Sequence, residues 1–395
     1  MLIKARWIIP VSSPPIENGV VVVEGDRIVF VGANPEGTTR APTIDLGDAT
    51  LIPGLVNAHC HLEFSHRPGR IPPTSSFAAW TRQVMSLTDR PSGPPPASIS
   101  RLLETGTTTV ADHCSPDAPR FATPFRRIPF WEVLGAQKDR ADASLQQAQE
   151  RMINEGGFVT PHSLYAVHRK VIEKLTSPPA PLLSKERVAA VRRPGEVWSI
   201  HILESSDEDQ FFRTGSGPLA DFVMERGGQI PFAETSPVEW LRRGGVPAGG
   251  RPPLLVVHGN YLNASEIEAL RGQNTVVIHC PGSHRFFGHK RFPYEALRKA
   301  GLPIALGTDS LASNEDLSML REMRLFRETY PEVSPEEILE MATIEGALAL
   351  GMEEDIGSIE AGKKADLVAV SGQDILDAEK VVFSMIDGKV ILNHV

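Results

Sequence analysis

Two histidines two residues apart, His59 and His61, close an apolar stretch that begins at Leu51. In an extended chain residues i and i+2 share a face, so both imidazoles could reach one ion while Cys60 points away. A lone pair of this kind is weak evidence, and its meaning depends on what else converges on the same point. The candidates are Asp112-His113, Pro161-His162, His201 with Glu204 three residues on, His258, His279 and Asp309. Three imidazoles and one carboxylate with an open position for water make a catalytic site for a borderline divalent cation. The set assigned to that site is His59, His61, His201 and Asp309. The ion would bring the pKa of its bound water to about 7. Glu204, one short turn from His201, is placed to move the proton. Because Asp207, Glu208 and Asp209 follow closely, Glu204 also reads as a solvated loop residue. His258 could hold the water or the developing tetrahedral oxygen, or be a hydrogen-bonded core histidine.

Something must bring these residues together, and the chain has a rhythm that would. Eight apolar runs can be marked: Leu55–Ala58, Thr107–Ala111, Ile128–Val133, Phe158–Thr160, Val197–Ile200, Leu254–Val257, Thr275–Ile278 and Pro303–Leu306. Helix-like segments lie between most of them, among them Ser98–Thr105, Ala141–Glu155, Pro218–Arg226, Ala264–Arg271 and Tyr294–Ala300. Strand–helix alternation of this kind predicts an α/β fold, a (β/α)8 TIM-type barrel with buried parallel strands, whose C-terminal strand ends converge on the active site. Each candidate ligand follows such a run. Both ends of the chain are instead β-rich, with Glu24-Gly25-Asp26 as hairpin chemistry inside Gly19–Val31. That predicts a small composite β-sandwich domain from residues 1–52 and 355–395, with the barrel at 53–354. The Pro- and Gly-rich stretches Arg90–Ala97 and Gly244–Pro253 read as surface loops.

Bulk properties narrow the classes. A chain of 395 residues, 41% hydrophobic and 23% charged, can bury a large core. The net charge of −9 argues against a nucleic-acid binder and a basic membrane-surface protein. No apolar run approaches the roughly 20 residues that span a bilayer, and the N-terminus lacks a signal-peptide core. Three scattered cysteines, Cys60, Cys114 and Cys280, form no disulfide framework and no C-x-x-C pair, and read as packing thiols of a cytoplasmic protein.

The ordered set of motifs resembles the amidohydrolase superfamily over almost the whole chain, in the branch holding cytosine, adenosine-type and guanine deaminases and triazine chlorohydrolases. The motifs are Leu51-Ile52-Pro53-Gly54-Leu55-Val56-Asn57-Ala58-His59-Cys60-His61, Glu104-Thr105-Gly106-Thr107-Thr108, His201-x-x-Glu204 and Val257-His258-Gly259. Further along come His279-Cys280-Pro281-Gly282-Ser283, Leu306-Gly307-Thr308-Asp309-Ser310, Ala342-Thr343-Ile344-Glu345-Gly346-Ala347 and Gly357 to Leu367. The resemblance implies one divalent metal, zinc first with iron or manganese as alternatives, on His59, His61, His201 and Asp309. It makes Glu204 the proton shuttle, His258 a water-orienting or substrate-polarising group, and Asp309 a proton acceptor from the attacking water. Dinuclear relatives carry a bridging lysine or glutamate at the fourth strand. Here that strand reads Gly157-Phe158-Val159-Thr160-Pro161-His162, with neither, which favours a mononuclear site.

Within the branch, His61-Leu62-Glu63-Phe64-Ser65 and His162-Ser163-Leu164-Tyr165-Ala166-Val167-His168 resemble aminodeoxyfutalosine deaminases, where such motifs line the nucleoside pocket. The sequence departs from the family pattern at Ser283-His284, where asparagine commonly follows the serine. The implied activity is hydrolytic deamination of an adenine nucleoside, aminodeoxyfutalosine first, then S-adenosylhomocysteine or methylthioadenosine. A chlorohydrolase, a guanine- or cytosine-type deaminase, or a non-catalytic barrel are the other readings, and scaffold relatives of the last kind lose ligands that this chain keeps. Candidate substrate contacts are Glu63, Phe64, Trp80, His162, Tyr165, His168, Ser310 and Asn314, with Phe77 beside them. Trp80, at apolar spacing on a short helix, reads more readily as core than as a stacking platform, and His279 as a structural or supporting histidine, while nothing beyond composition speaks for His66, His289 and His394. The expected partner is a small molecule, with no nucleic acid and no membrane, and a homodimer is allowed for.

Overall fold

Every marked run forms a strand. In a computed structural model that describes residues 1–33, 42–74, 76–87, 89, 92–176, 197–229, 236–243, 253–372, 374–378 and 380–394, the N-terminal strands are β1 (Leu2–Ile8), β2 (Ile16–Glu24), β3 (Arg27–Ala33), β4 (Thr43–Asp45) and β5 (Ala49–Pro53). Then come β6 (Leu55–Cys60), β7 (Thr107–Cys114), β8 (Arg126–Val133), β9 (Phe158–Pro161), β10 (Trp198–Ile202), β11 (Leu254–His258), β12 (Thr275–His279) and β13 (Ile304–Leu306). The chain ends with β14 (Leu367–Ser371), β15 (Val381–Ile386) and β16 (Lys389–Asn393). Of the two loop readings, residues 90–91 and 244–252 lie outside the described residues.

The middle strands pair in parallel as β6-β7-β8-β9 and β10-β11-β12-β13. Single parallel bridges join the two sets at their C-terminal ends, Cys60 with Asp309 and Ser163 with His201. Period-two alternation sends side chains to two different places. Trp131, Val159, Ile200, Val256, Val277 and Ile304 pack in the large cluster that includes helical residues such as Leu145, Phe211 and Phe326. Their neighbours Phe130, Phe158, Leu255, Val257, Val276, Ile278 and Ala305 meet in a second cluster drawn from both sheets. A strand buried on both faces reads as a continuous apolar run, which is why these segments were visible.

The terminal strands form one eight-stranded mixed sheet, in the order β16-β15-β14-β5-β1-β2-β3 with β4 beside β1. The join between the chain's two ends is the antiparallel pairing of β5 with β14, from Leu367 opposite Pro53 to Ser371 opposite Ala49. Its apolar cluster draws on both ends, with Ile3, Val21 and Leu51 against Leu367, Phe383 and Met385. β5 runs to Pro53, one residue past the expected boundary, and β6 starts two residues later.

Helices that shape the site carry local signals. Ser205 caps the helix Ser206–Thr214 by accepting from Glu208 N, its first turn is acidic, and Gly215 ends it in a left-handed conformation. Ser76 caps Phe77–Ser86, and Asp207 Oδ2 accepts from both Ser76 Oγ and Ala78 N, locking the two helices together. Among the described residues no helix is long and apolar enough to cross a membrane.

Candidate metal centre and active-site cleft

His59 is the penultimate residue of β6 and His61 follows the strand, His201 lies in β10, and Asp309 follows β13. The four side chains meet. His59 Nε2 and His61 Nε2 lie 3.3 Å and 3.4 Å from His201 Nε2, and Asp309 Oδ1 lies 3.7 Å and 3.9 Å from the same atoms of His59 and His61. Zinc–nitrogen bonds of 2.0–2.1 Å in a tetrahedron put donor atoms about 3.4 Å apart. The donor set fits a divalent ion in both chemistry and spacing.

The outer nitrogens keep the Nε2 atoms bare. His201 Nδ1 is 2.9 Å from the carbonyl of His162 and donates to it. His59 Nδ1 is 3.1 Å from His113 Nδ1, and His113 Nε2 is 2.6 Å from Ser199 Oγ. With the His59 proton on Nδ1, His113 accepts there and passes its own proton to Ser199, a chain in which each donor has an acceptor. Burial and neighbouring imidazoles hold His59 and His201 far below the usual imidazole range, so both rings are neutral. Asp309 is aimed by two hydroxyls, Ser283 Oγ at 2.7 Å and Ser313 Oγ at 2.8 Å on Oδ2, which leaves Oδ1 toward the histidines. Gly307 approaches so closely that a Cβ there would sit 2.8–2.9 Å from three atoms of His59.

Glu204 and His258 flank this centre. Glu204 Oε1 is 3.7 Å from His258 Nε2, and both belong with Asp309 to a second close group of donor atoms. Glu204 is only 6% exposed, so the solvated-loop reading does not hold. Its neighbours Asp207 and Glu208 are buried too, as the acidic first turn of a capped helix. Burial, with the charges of Asp309 and Glu208, pushes the Glu204 carboxyl well above its ordinary range. Burial lowers His258 to about 4, the carboxylate of Asp309 opposing this and other histidines adding to it. Leu203, His258 and Asp309 have φ of 51°, 69° and 56°. Left-handed backbone at non-glycine residues, all at strand ends around one point, is strain of the kind that clusters at functional sites.

The centre floors a cleft of about 520 Å³, within the usual range for small-molecule sites. Of the expected substrate contacts, Glu63, Phe64, Trp80, His162, Tyr165 and Ser310 line it, as does Phe77. Two do not. His168 Nδ1 accepts from Lys170 N and the ring faces a small separate cavity. Asn314 lies behind the site, its amide donating to the Thr308 carbonyl and to Glu322 while its oxygen accepts from Arg321. Short loop motifs give no side-chain direction, which is why both were misplaced. The motif reading gives no role to His113 and to Ser283, one of the two serines on Asp309, and does not single out Glu132 or Ser313. His113 was visible at the end of the second run, whereas Glu132 sits inside the third run, where apolar neighbours hide it. It is buried, and although burial alone would raise its pKa, His162, His61 and His113 hold it down to about 2.

Parallel strands that end on a histidine–carboxylate cluster at the floor of a cleft are the arrangement of a metal-dependent hydrolase. The chain belongs to the amidohydrolase family, whose sequence profile matches residues 50–392, and the fold of that family is a TIM-type barrel. It is similar to the 5-methylthioadenosine/S-adenosylhomocysteine deaminase of Moorella thermoacetica, 29% identical over 94% of this chain and 85% of that one. It is also similar to the aminodeoxyfutalosine deaminase of Nitratiruptor sp., 28% identical over 81% and 78% of the two chains. The fold superimposes on Helicobacter pylori aminofutalosine deaminase, crystallised with methylthio-coformycin, with a TM-score of 0.80 at 21% identity over 99% and 100%.

Proposed function

We propose that this chain is a mononuclear, zinc-dependent hydrolytic deaminase of an adenine nucleoside bearing an extended 5′ substituent. Aminodeoxyfutalosine is the first candidate, and S-adenosylhomocysteine or methylthioadenosine the next. The observation that carries the reading is the four-donor set at the floor of the cleft with Glu204 beside it, and the names of the curated relatives point to the same substrates. Water replaces the exocyclic amine, so the ring gains an oxygen and ammonia leaves. His59, His61, His201 and Asp309 would hold a divalent ion, which when bound would lower the pKa of its water to about 7. Glu204, kept protonated by burial, delivers its proton to the ring nitrogen beside the amine. His258, neutral at pH 7, orients the attacking oxygen. Asp309 takes up one water proton. Glu204, ionised once it has protonated the ring nitrogen, takes the other and passes it to the departing amine, since amide ion is a poor leaving group. The proton on Asp309 then restores Glu204. Phe64, Phe77 and Trp80 give apolar contact along the cleft, and Glu63, His162 and Tyr165 suit sugar hydroxyls or a carboxylate.

In the same reading residues 53–354 close into a (β/α)8 barrel, supported by the apolar cluster shared across both parallel sheets, and residues 1–52 with 355–395 form the composite β-sandwich. Three buried free thiols favour a reducing compartment, the cytoplasm. The test is ammonia release from the purified, zinc-loaded chain across adenine nucleosides, free bases and a chlorotriazine, read with the loss of adenine absorbance. Adenine nucleosides with a 5′ substituent should be turned over most efficiently. Far higher efficiency on guanine, cytosine or a chlorotriazine would overturn the assignment.

A further inference from the structure

Glu132 is a buried acid to which the proposed reaction gives no task. It lies near the end of β8, 3% exposed, among the histidines of the centre. Its Oε2 is 3.0 Å from His162 Nδ1 and 3.9 Å from His61 Nδ1, and its Oε1 is 3.6 Å from His201 Nδ1. The His162 contact runs off the line of the N–H, and His61 Nδ1 and Glu132 Oε1 are both buried with no hydrogen-bond partner among the described residues. His201 Nδ1, by contrast, is already committed to the His162 carbonyl.

His61 turns Nε2 toward the other donors, so its proton must sit on Nδ1, and a buried imidazole N–H without an acceptor is destabilising. Glu132 is the carboxylate beside it, about 0.7 Å beyond hydrogen-bond range. A small tilt of the His61 ring closes that gap. Charge points the same way. A dication with the single carboxylate of Asp309 leaves a positive centre out of water, and a second carboxylate in contact with two of the ligand rings neutralises it. The same oxygen meets His162, which lines the cleft.

We infer that Glu132 is a positioning residue that serves metal and substrate together. Its carboxylate keeps the Nδ1 protons of His61 and His162 in place, leaving His61 Nε2 bare for the ion and holding the His162 ring against the substrate. This rests on the four-donor site being a metal site. Glu132, His162 and His201 could be taken for a second cation site, but His201 would have to surrender its bond to the His162 carbonyl.

The experiment compares the full-length wild-type chain with Glu132→Gln and His162→Ala. Zinc affinity is read by competition with a chromophoric chelator, and KM and kcat are measured on an adenine nucleoside. Glu132→Gln keeps shape but removes the charge and one of two acceptor oxygens, and loss of such an outer partner weakens metal binding by about 10–100-fold. It should loosen zinc by that order and raise KM, whereas His162→Ala should raise KM with zinc affinity unchanged. Nitrogen-15 spectra of the histidines should lose the Nδ1-proton signature of His162 in Glu132→Ala. Should Glu132→Gln fail to fold, Glu132→Asp, which retracts the carboxylate, takes its place with the same expectation. Wild-type zinc affinity in a folded Glu132→Gln would overturn the inference, as would two zinc equivalents in the wild type falling to one. A wild-type chain that takes up no zinc would overturn both the metal reading and this one.

Discussion

Glu204→Gln separates chemistry from architecture. The backbone around Glu204 is held without its side chain: its N–H donates to Glu208 Oε2 at 2.8 Å and its carbonyl accepts from Asn260 at 3.0 Å. The carboxyl itself stands 3.7 Å from His258 and faces the cleft. The amide therefore fits without disturbing the fold, and it removes a carboxyl whose ionised form burial disfavours. Thermal stability and zinc content should be those of the wild type. Turnover should not be. A general acid–base group contributes about 10²–10⁴-fold, or roughly 2.7–5.4 kcal/mol of barrier at about 1.36 kcal/mol per decade. The assay is absorbance loss near the adenine band with coupled ammonia detection on metal-matched samples. Because burial and the charges of Asp309 and Glu208 raise the Glu204 pKa, wild-type turnover should decline on the alkaline side as that proton is lost. The residual activity of the variant should lack that limb. A variant with matched zinc and turnover within tenfold of wild type would show that Glu204 shuttles no proton.

Three further outcomes follow from the same geometry. His61→Ala should lose most of a single zinc equivalent by metal analysis, and a wild-type protein with two equivalents would refute the mononuclear arrangement. Gly307→Ala adds a Cβ at 2.8–2.9 Å from three His59 atoms, so β13 or β6 must shift and zinc binding should fall although no ligand has changed. Glu322 is buried, and burial pushes its carboxyl up to about 8 against hydrogen bonds from Asn314 and Gly282. The folded state then holds a proton that the unfolded chain releases above the ordinary value of 4.5. That contribution is fully present below about pH 4.5 and is lost as pH rises through about 8, by at most about 1.4 kcal/mol per unit. The melting temperature of wild type should therefore rise relative to that of Glu322→Gln as pH is lowered from 8 to 5, and a constant offset between the two would mean that Glu322 does not titrate there.

The sequence by itself determined the strands and the identity of the metal-site candidates. A parallel strand covered on both faces must be apolar throughout, so its run is visible, and the polar residue that ends it stands out. His59, His61, His201, His258 and Asp309 were legible for that reason, as was the hairpin turn at Gly25, where φ of 61° suits glycine. Helix ends were read to within a residue or so where a proline or glycine marks them, as at Pro218–Glu225. The depth of Glu204 was not legible. An acidic run looks solvated in one dimension and becomes a buried, capped helix start only when the Phe77–Ser86 helix packs over it. Direction was the other missing quantity. His168 and Asn314 lie in motifs beside the site yet turn away, because hydrogen bonds to Lys170 in one case and to Thr308, Glu322 and Arg321 in the other decide their rotamers. Glu132 shows the reverse. It is hidden inside an apolar run, and only the curvature that brings β6, β8, β9 and β10 together sets its carboxylate among His61, His162 and His201. Residue type and period are local and survive in the string of letters. Side-chain direction, burial of charge and the spacing of donors from distant strands arise only when the sheets curve and pack.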